Sequence, residues 1–134
     1  MSRLIAEDDY YMGIALLSCS RTIHGKSILF VDDFENYHVC TGEHENSLDP
    51  EYFMASTHGL PKCKSIFLTY TPNSNSIKML ANTDVKKIIF FQTENIEEDT
   101  ISLCSNINID ICKYKGNIHW MRDYIFFMRS KDIL

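Results

Sequence analysis

The cysteines and histidines are the residue types that most often bind transition metals, so their spacing shows whether they can act together. The five cysteines are widely separated and form no C-x-x-C pair; they are Cys19, Cys40, Cys63, Cys104 and Cys112. Four of the five histidines fall on different predicted elements at unrelated spacings; they are His24, His38, His58 and His119. The pattern predicts reduced thiols in a cytoplasmic setting and does not predict a metal site built from these histidines.

A carboxylate at a helix start is the next candidate for chemistry. Asp49-Pro50-Glu51 is a strong helix opening, with Asp at the N-cap, Pro at the first helical position and Glu in the first turn. The helix dipole alone favours Glu51 there.

Ten predicted elements have to position these residues. A helix over residues 5–20 is indicated by apolar positions at helical spacing, and residues 27–31 and 37–41 form a hairpin around the turn residues Asp32-Asp33-Phe34-Glu35-Asn36. The remaining elements are helices after Asp49, after Asn73, over 96–106 and over 118–128, and strands over 65–70, 86–91 and 107–112. The order is α-β-β-α-β-α-β-α-β-α. It predicts a single domain over residues 1–134, an α/β fold with a mixed five-stranded sheet between helices on both faces.

Three segments in this order resemble the cytidine-deaminase-like superfamily. They are VCTG (39–42) followed by a polar loop and DPEYFMA (49–55), SIFLTYTP (65–72), and SIKMLANTDVKKIIFF (76–91). The resemblance is closest to the branch of deoxycytidylate, tRNA-adenosine and riboflavin-pathway deaminases, and it covers roughly residues 5–128. It implies a three-layer α-β-α fold in which two helix N-termini face each other. One N-terminus carries H-A-E and the other P-C-x-x-C, so that one His and two Cys hold zinc while Glu moves protons.

The family's zinc ligands are replaced in this sequence. By the resemblance, the His position falls on Asp49, the two Cys positions fall on Asn73 and Ser76, and only the proton-transfer residue, Glu51, keeps its type. Amide and hydroxyl oxygens neither match the softness of Zn²⁺ nor balance its charge. Without zinc no water is brought to ionisation near neutral pH. The departures predict a zinc-free protein with no cofactor, in which Glu51 is vestigial and Asp49, Asn73 and Ser76 are candidate binding residues.

A second alignment of the first motif is also open. Glu43-His44-Glu45 resembles H-A-E as well, and would put Glu45 in the proton-transfer position. Asp49-Pro50-Glu51 is preferred because the motif has to open a helix. In either alignment, His44 lies in the loop that lines the substrate pocket of active relatives, so His44 joins the candidate binding residues. Both alignments leave Asn73 and Ser76 where thiolates belong.

Composition narrows the class of function. The chain has 134 residues, a formal net charge of −5 and no apolar run of membrane-spanning length. The acidic charge argues against a general nucleic-acid-coating protein. We therefore expect a cytoplasmic pseudoenzyme that acts as a binding, regulatory or structural subunit, with a nucleotide or an active deaminase as candidate ligands. Two alternatives stay open: an active deaminase or hydrolase that uses Glu51 with an atypical metal site, and a nucleic-acid-binding module.

The resemblance and two aromatic-rich segments also predict assembly. Deaminase-like domains pack as homo-oligomers or with a related subunit through the helices that flank the site. Tyr52-Phe53-Met54 and residues 120–128 carry more large apolar groups than one sheet face needs. The sequence therefore predicts a homo-oligomer, or a hetero-complex, with an interface at one of these segments and no contact with membranes.

Overall fold

The computed structural model describes residues 7–19, 26–41, 50–57 and 59–116, without the side chains of residues 52, 53, 56 and 57. In these ranges four α-helices and one 3₁₀ turn alternate with five strands. In chain order they are α1 (Glu7–Cys19), β1 (Ser27–Val31), β2 (Tyr37–Thr41), α2 (Pro50–Thr57), β3 (Ser65–Leu68), α3 (Ser74–Leu80), the 3₁₀ turn (Ala81–Thr83), β4 (Lys87–Phe90), α4 (Glu98–Asn106) and β5 (Asp110–Lys113).

The five strands form one mixed sheet in the order β2-β1-β3-β4-β5. β1 is antiparallel to both β2 and β3, whereas β3, β4 and β5 run parallel to one another. Parallel neighbours require crossover connections, and α3 and α4 supply them. Because such crossovers are right-handed, both helices lie on the same face of the sheet. The predicted fold class, a mixed five-stranded α/β sheet, is confirmed.

Each face of the sheet has its own hydrophobic core. The core beneath α2, α3 and α4 includes Ile28, Phe30, Ile66, Leu68, Ile88 and Phe90 from the strands, with Ile77, Leu80 and Cys104 from the helices. The opposite core sits beneath α1 and includes Leu29, Val31, Phe67 and Ile89 with Tyr11, Met12 and Ala15. Successive residues of β1, β3 and β4 point to opposite faces of the sheet. Both sets are apolar because these strands are buried on both sides.

Polar contacts fix α1 and the β1–β2 hairpin to each other. The hydroxyl of Tyr11 donates to Glu35 at 3.2 Å, and Lys64 also hydrogen-bonds Glu35. Burial and the neighbouring carboxylate raise the pKa of Tyr11 to about 12. The hydrogen bond from Lys64 lowers the pKa of Glu35 below its ordinary value. Glu35 is the left-handed residue of the turn, with φ of 66°, so its side chain holds a strained backbone position in place.

Most element ends lie within two residues of the sequence prediction, and two of the differences have local causes. β3 ends at Leu68 rather than residue 70 because the hydroxyl of Thr69 accepts from the backbone of Ser27 at 2.8 Å. β5 begins at Asp110 rather than residue 107 because Asn108 adopts φ of 60°, which interrupts the extended backbone. The predicted helix over residues 118–128 lies outside the described residues.

The helices and the cysteines of the described residues bear on membrane contact and on redox state. None of their helices is long and apolar enough to cross a membrane. All five cysteines lie within these ranges, and none of them forms a disulfide. Burial raises the pKa of the Cys19, Cys63 and Cys104 thiols, so these three remain protonated near neutral pH.

Ile88 offers a test of the central position of β4. Its side chain is fully buried, so Ile88→Ala should lower the free energy of unfolding by about 2–5 kcal/mol through lost burial and the cavity left behind. The matched control is Ile101→Ala on α4, where the side chain is 45% exposed and the expected change is within about 0.5 kcal/mol. Urea unfolding measures both. Equal losses for the two variants would contradict the placement of β4 at the centre of the core.

Candidate functional site

A side-chain hydrogen bond connects the N-terminal turns of α2 and α3. Glu51 lies in the first turn of α2, and Ser76 lies in the first turn of α3. The hydroxyl of Ser76 donates to Oε1 of Glu51 at 2.5 Å. Residues 25 positions apart in the sequence are thereby in direct contact at the point where two helices begin.

Asn73 holds the start of α3. It is the N-cap residue, with extended φ and ψ of −111° and 175°, and its side-chain oxygen accepts from the backbone N–H of Ser76 at 2.9 Å. This is the usual way in which a helix satisfies an amide of its first turn. The oxygen of Asn73 is therefore engaged with the helix backbone, and Ser76 contacts Asn73 through its amide and Glu51 through its hydroxyl.

Tyr70 completes the cluster from just beyond the end of β3. Its hydroxyl donates to Oε2 of Glu51, the oxygen that Ser76 does not contact. The ammonium of Lys26 lies over the Tyr70 ring, 5.1 Å from its centroid, a distance at which cation–π attraction is effective. Glu51, Ser76 and Tyr70 are 0%, 1% and 2% exposed, so this carboxylate is cut off from bulk water.

Burial makes these hydrogen bonds necessary. A polar group removed from water without partners costs several kcal/mol, and a carboxylate costs more than a neutral group. The two hydroxyl groups supply donors to both oxygens of Glu51. Cys40 adds a contact from β2, since its thiol lies 3.7 Å from the backbone oxygen of Pro50 and donates to it. Four elements, β2, α2, β3 and α3, thus meet around Glu51.

The structure brings together three of the five residues that the sequence singled out. Glu51, Asn73 and Ser76 are neighbours, whereas His44 and Asp49 lie outside the described residues, as does Glu45 of the second alignment. The sequence reasoning missed Tyr70. Its only signal was its place at the end of an apolar run before Thr71-Pro72, where a strand ends near the start of a helix.

Zinc does not fit the described part of this site. The two positions that resemble thiolate ligands hold an amide and a hydroxyl, and both are already used by the protein itself. Across the described residues no three Asp, Glu, His or Cys side chains are grouped closely enough to hold a metal ion.

A separate cleft of about 700 Å³ lies where β4 and β5 end, lined by Gln92, Thr93, Glu94, Asn95 and Lys113. It does not include the Glu51 cluster. Thr71 connects the two regions, because its hydroxyl accepts from the backbone of Thr93 at 3.0 Å and of Glu94 at 3.1 Å. The cleft is wide and polar, and its lining carries one acidic and one basic side chain, Glu94 and Lys113.

Comparison with known proteins establishes the fold. No protein-family model matches this sequence, and no curated protein is significantly similar to it. Among solved structures, the dCMP deaminase from the cyanophage S-TIM5 aligns with a TM-score of 0.61 at 17% identity, over 80% of this chain and 96% of that protein. The guanine deaminase from Nitrosomonas europaea aligns with a TM-score of 0.61 at 12% identity, over 98% and 88%. The chain therefore has the cytidine-deaminase-like fold that the sequence resemblance implied.

The hydrogen bond from Ser76 gives a prediction for stability. Ser76→Ala removes one donor from buried Glu51 and should cost about 1–3 kcal/mol of unfolding free energy. The control is Ser74→Ala in the same turn, with an expected change within about 0.5 kcal/mol. In a Glu51→Gln background the cost of Ser76→Ala should fall, because the charged acceptor is gone. Equal costs for Ser74→Ala and Ser76→Ala would rule out the contact.

Proposed function

We propose that this protein is a catalytically inactive, zinc-free deaminase homologue that acts as a binding, regulatory or structural subunit. The observation that carries the proposal is the environment of Glu51. Its carboxylate is fully buried, and both oxygens are hydrogen-bonded by side chains of the protein. In this account Glu51 is the position from which the fold's active members move protons.

Buried Glu51 is unsuited to proton transfer on a substrate. A general base has to lie within hydrogen-bond reach of the proton that it takes, directly or through one water. Here Tyr70 and Ser76 stand where such a water or substrate atom would have to be, and both are themselves at most 2% exposed. A side chain that already accepts two hydrogen bonds in a closed site supports packing better than turnover.

The nature of the ligand follows by analogy with the structural neighbours. The cyanophage dCMP deaminase was also solved in complex with dCMP and dUMP, where it aligns with a TM-score of 0.60 at 16% identity. By that analogy a nucleotide is the candidate ligand for this chain, with His44, Asp49, Asn73 and Ser76 as candidate contacts. The same analogy supports an oligomer, either of this chain alone or with a related active subunit, in the cytoplasm.

Inactivity can be tested directly on the purified protein. We expect less than stoichiometric zinc by metal analysis, and no release of ammonia from dCMP, cytidine or guanine above the rate of a Glu51→Gln variant. The reason is that neither an activated water nor an accessible base is available. Deamination that disappears in Glu51→Gln would refute the proposal and establish the active-enzyme alternative.

Restoring the family's zinc-ligand residue types at positions 49, 73 and 76 tests whether these positions correspond to those of a zinc site. The triple variant Asp49→His, Asn73→Cys, Ser76→Cys restores one imidazole and two thiolates, the ligand types that zinc prefers. We expect it to purify with close to one equivalent of zinc. The control keeps Asp49→His and moves the cysteines to Ser74 and Asn75, where they should not acquire the metal. Zinc in the control, or none in the triple variant, would contradict the assignment of these positions.

A further inference from the structure

Another cleft lies at the end of the sheet opposite the Glu51 cluster. That cluster lies beyond the carboxyl end of β3, whereas this cleft lies where β3 and β4 begin. Three short segments line it: residues 32–34 of the β1–β2 turn, residues 62–64 before β3, and residues 84 and 86 before β4. Its volume of about 420 Å³ is in the range of small-molecule sites. We call it the lysine–aspartate cleft.

Backbone hydrogen bonds hold the walls of the lysine–aspartate cleft together. The N–H of Lys64 donates to the carbonyl of Val31 at 2.8 Å, and the N–H of Lys86 donates to the carbonyl of Lys64 at 3.0 Å. The N–H of Cys63 donates to the carbonyl of Thr83 at 3.0 Å. Little has to be ordered when a ligand arrives, which lowers the entropy cost of binding.

Phe34 supplies the apolar surface of the cleft. Its side chain is 84% exposed, more than that of any other large hydrophobic residue in the described ranges. Its position is fixed, because Oδ1 of Asp32 accepts from the backbone N–H groups of Phe34 at 2.8 Å and of Asn36 at 3.0 Å. A phenyl ring held open at the wall of a cleft favours a ligand that itself carries an aromatic ring.

The charged side chains of the lining balance one another in number, with three lysines and three aspartates. Several of them are engaged within the protein. Lys64 hydrogen-bonds Glu35, and Asp32 accepts the two N–H groups of the turn. The ammonium of Lys62 lies 3.6 Å from a carboxylate oxygen of Asp84.

One acid and one base of the lining remain available. Within the described part of the chain, the side chains of Asp33 and Lys86 make no hydrogen bond or ion pair, and both residues are exposed. A purely anionic or purely cationic ligand would meet like charges as well as opposite ones in this cleft. A zwitterion can place each of its charges against the opposite one. Together with the ring of Phe34, these groups are complementary to a carboxylate, an ammonium and an aromatic ring.

We propose that the lysine–aspartate cleft is a binding site for a free aromatic α-amino acid. The ammonium of Lys86 binds the carboxylate of the ligand, the carboxylate of Asp33 binds its ammonium, and its ring packs against Phe34. A phenylalanine within a protein segment is a poorer match, because its backbone amides carry neither charge. This site goes beyond the proposed loss of catalysis and does not depend on it.

L-phenylalanine is the probe for this site. Titrated into the full-length protein, it should shift the backbone amide NMR signals of residues 32–34, 62–64 and 86 in a saturable way, and more weakly as salt is raised. Three related compounds each lack one group: 3-phenylpropionate lacks the ammonium, phenethylamine lacks the carboxylate and alanine lacks the ring. We expect each of them, and the blocked N-acetylphenylalaninamide, to bind at least about 10-fold more weakly.

Three variants remove the protein's side of each contact. Lys86→Met keeps the length of the side chain without its charge, Asp33→Asn keeps its shape, and Phe34→Ala removes the ring. Each should lower the affinity for L-phenylalanine at least about 10-fold, and each should stay folded because these side chains are exposed. The matched controls are Lys78→Met on α3 and Asp99→Asn on α4, which remove exposed charges outside the cleft and should bind normally.

Several results would overturn the proposal. Equal affinity for L-phenylalanine, 3-phenylpropionate and phenethylamine would show that the two charges are not recognised. Equally tight binding of N-acetylphenylalaninamide would make a protein segment the occupant instead. Unchanged affinity in Lys86→Met, Asp33→Asn and Phe34→Ala would place the binding elsewhere on the protein. Absence of saturable binding up to the solubility limit of phenylalanine would exclude the site altogether.

Discussion

The buried carboxylate of Glu51 constrains how the surrounding helices and strands can be arranged. A carboxylate without contact with water requires donors at each oxygen, and here they come from two separate elements, the end of β3 through Tyr70 and the first turn of α3 through Ser76. Because α2 carries the acceptor, its position relative to β3 and α3 follows from these two bonds. The family resemblance links Glu51 to proton transfer, and in this structure its carboxylate connects α2 to the end of β3 and to α3.

In the proposed alignment, the residues at the zinc-ligand positions also satisfy this carboxylate. Zinc balances charge in such a site, so a chain that lacks zinc and keeps a buried Glu needs other partners for that acid. In that alignment Ser76 stands at one thiolate position and donates to Glu51, while Asn73 stands at the other and caps the helix that carries Ser76. The two residues are physically coupled, because Ser76 reaches Glu51 only if α3 begins at the residue that Asn73 caps.

The sequence predicted the fold more fully than the site. β1 and β2 have the predicted ends, because an apolar run and a turn of acidic and amide residues define both strands locally. The helix start at Pro50 was readable from Asp49-Pro50-Glu51 for the same reason. The sequence pattern was less informative for β5. Asn108 lies between two isoleucines and adopts a left-handed backbone conformation, so the strand begins later than the pattern predicted. Tyr70 could not be assigned, because its contact with Glu51 spans 19 residues and depends on tertiary packing.

One short path joins β2 to the buried cluster around Glu51. Cys40 lies on β2, its thiol donates to the backbone of Pro50, and Pro50 is followed by Glu51. Packed interiors transmit displacement because they contain little empty space. A displacement of β2 would therefore act on α2 through the Cys40–Pro50 contact, and the hydrogen bonds of Glu51 would resist that movement. In this arrangement Glu51 helps to hold in place the helix against which β2 rests.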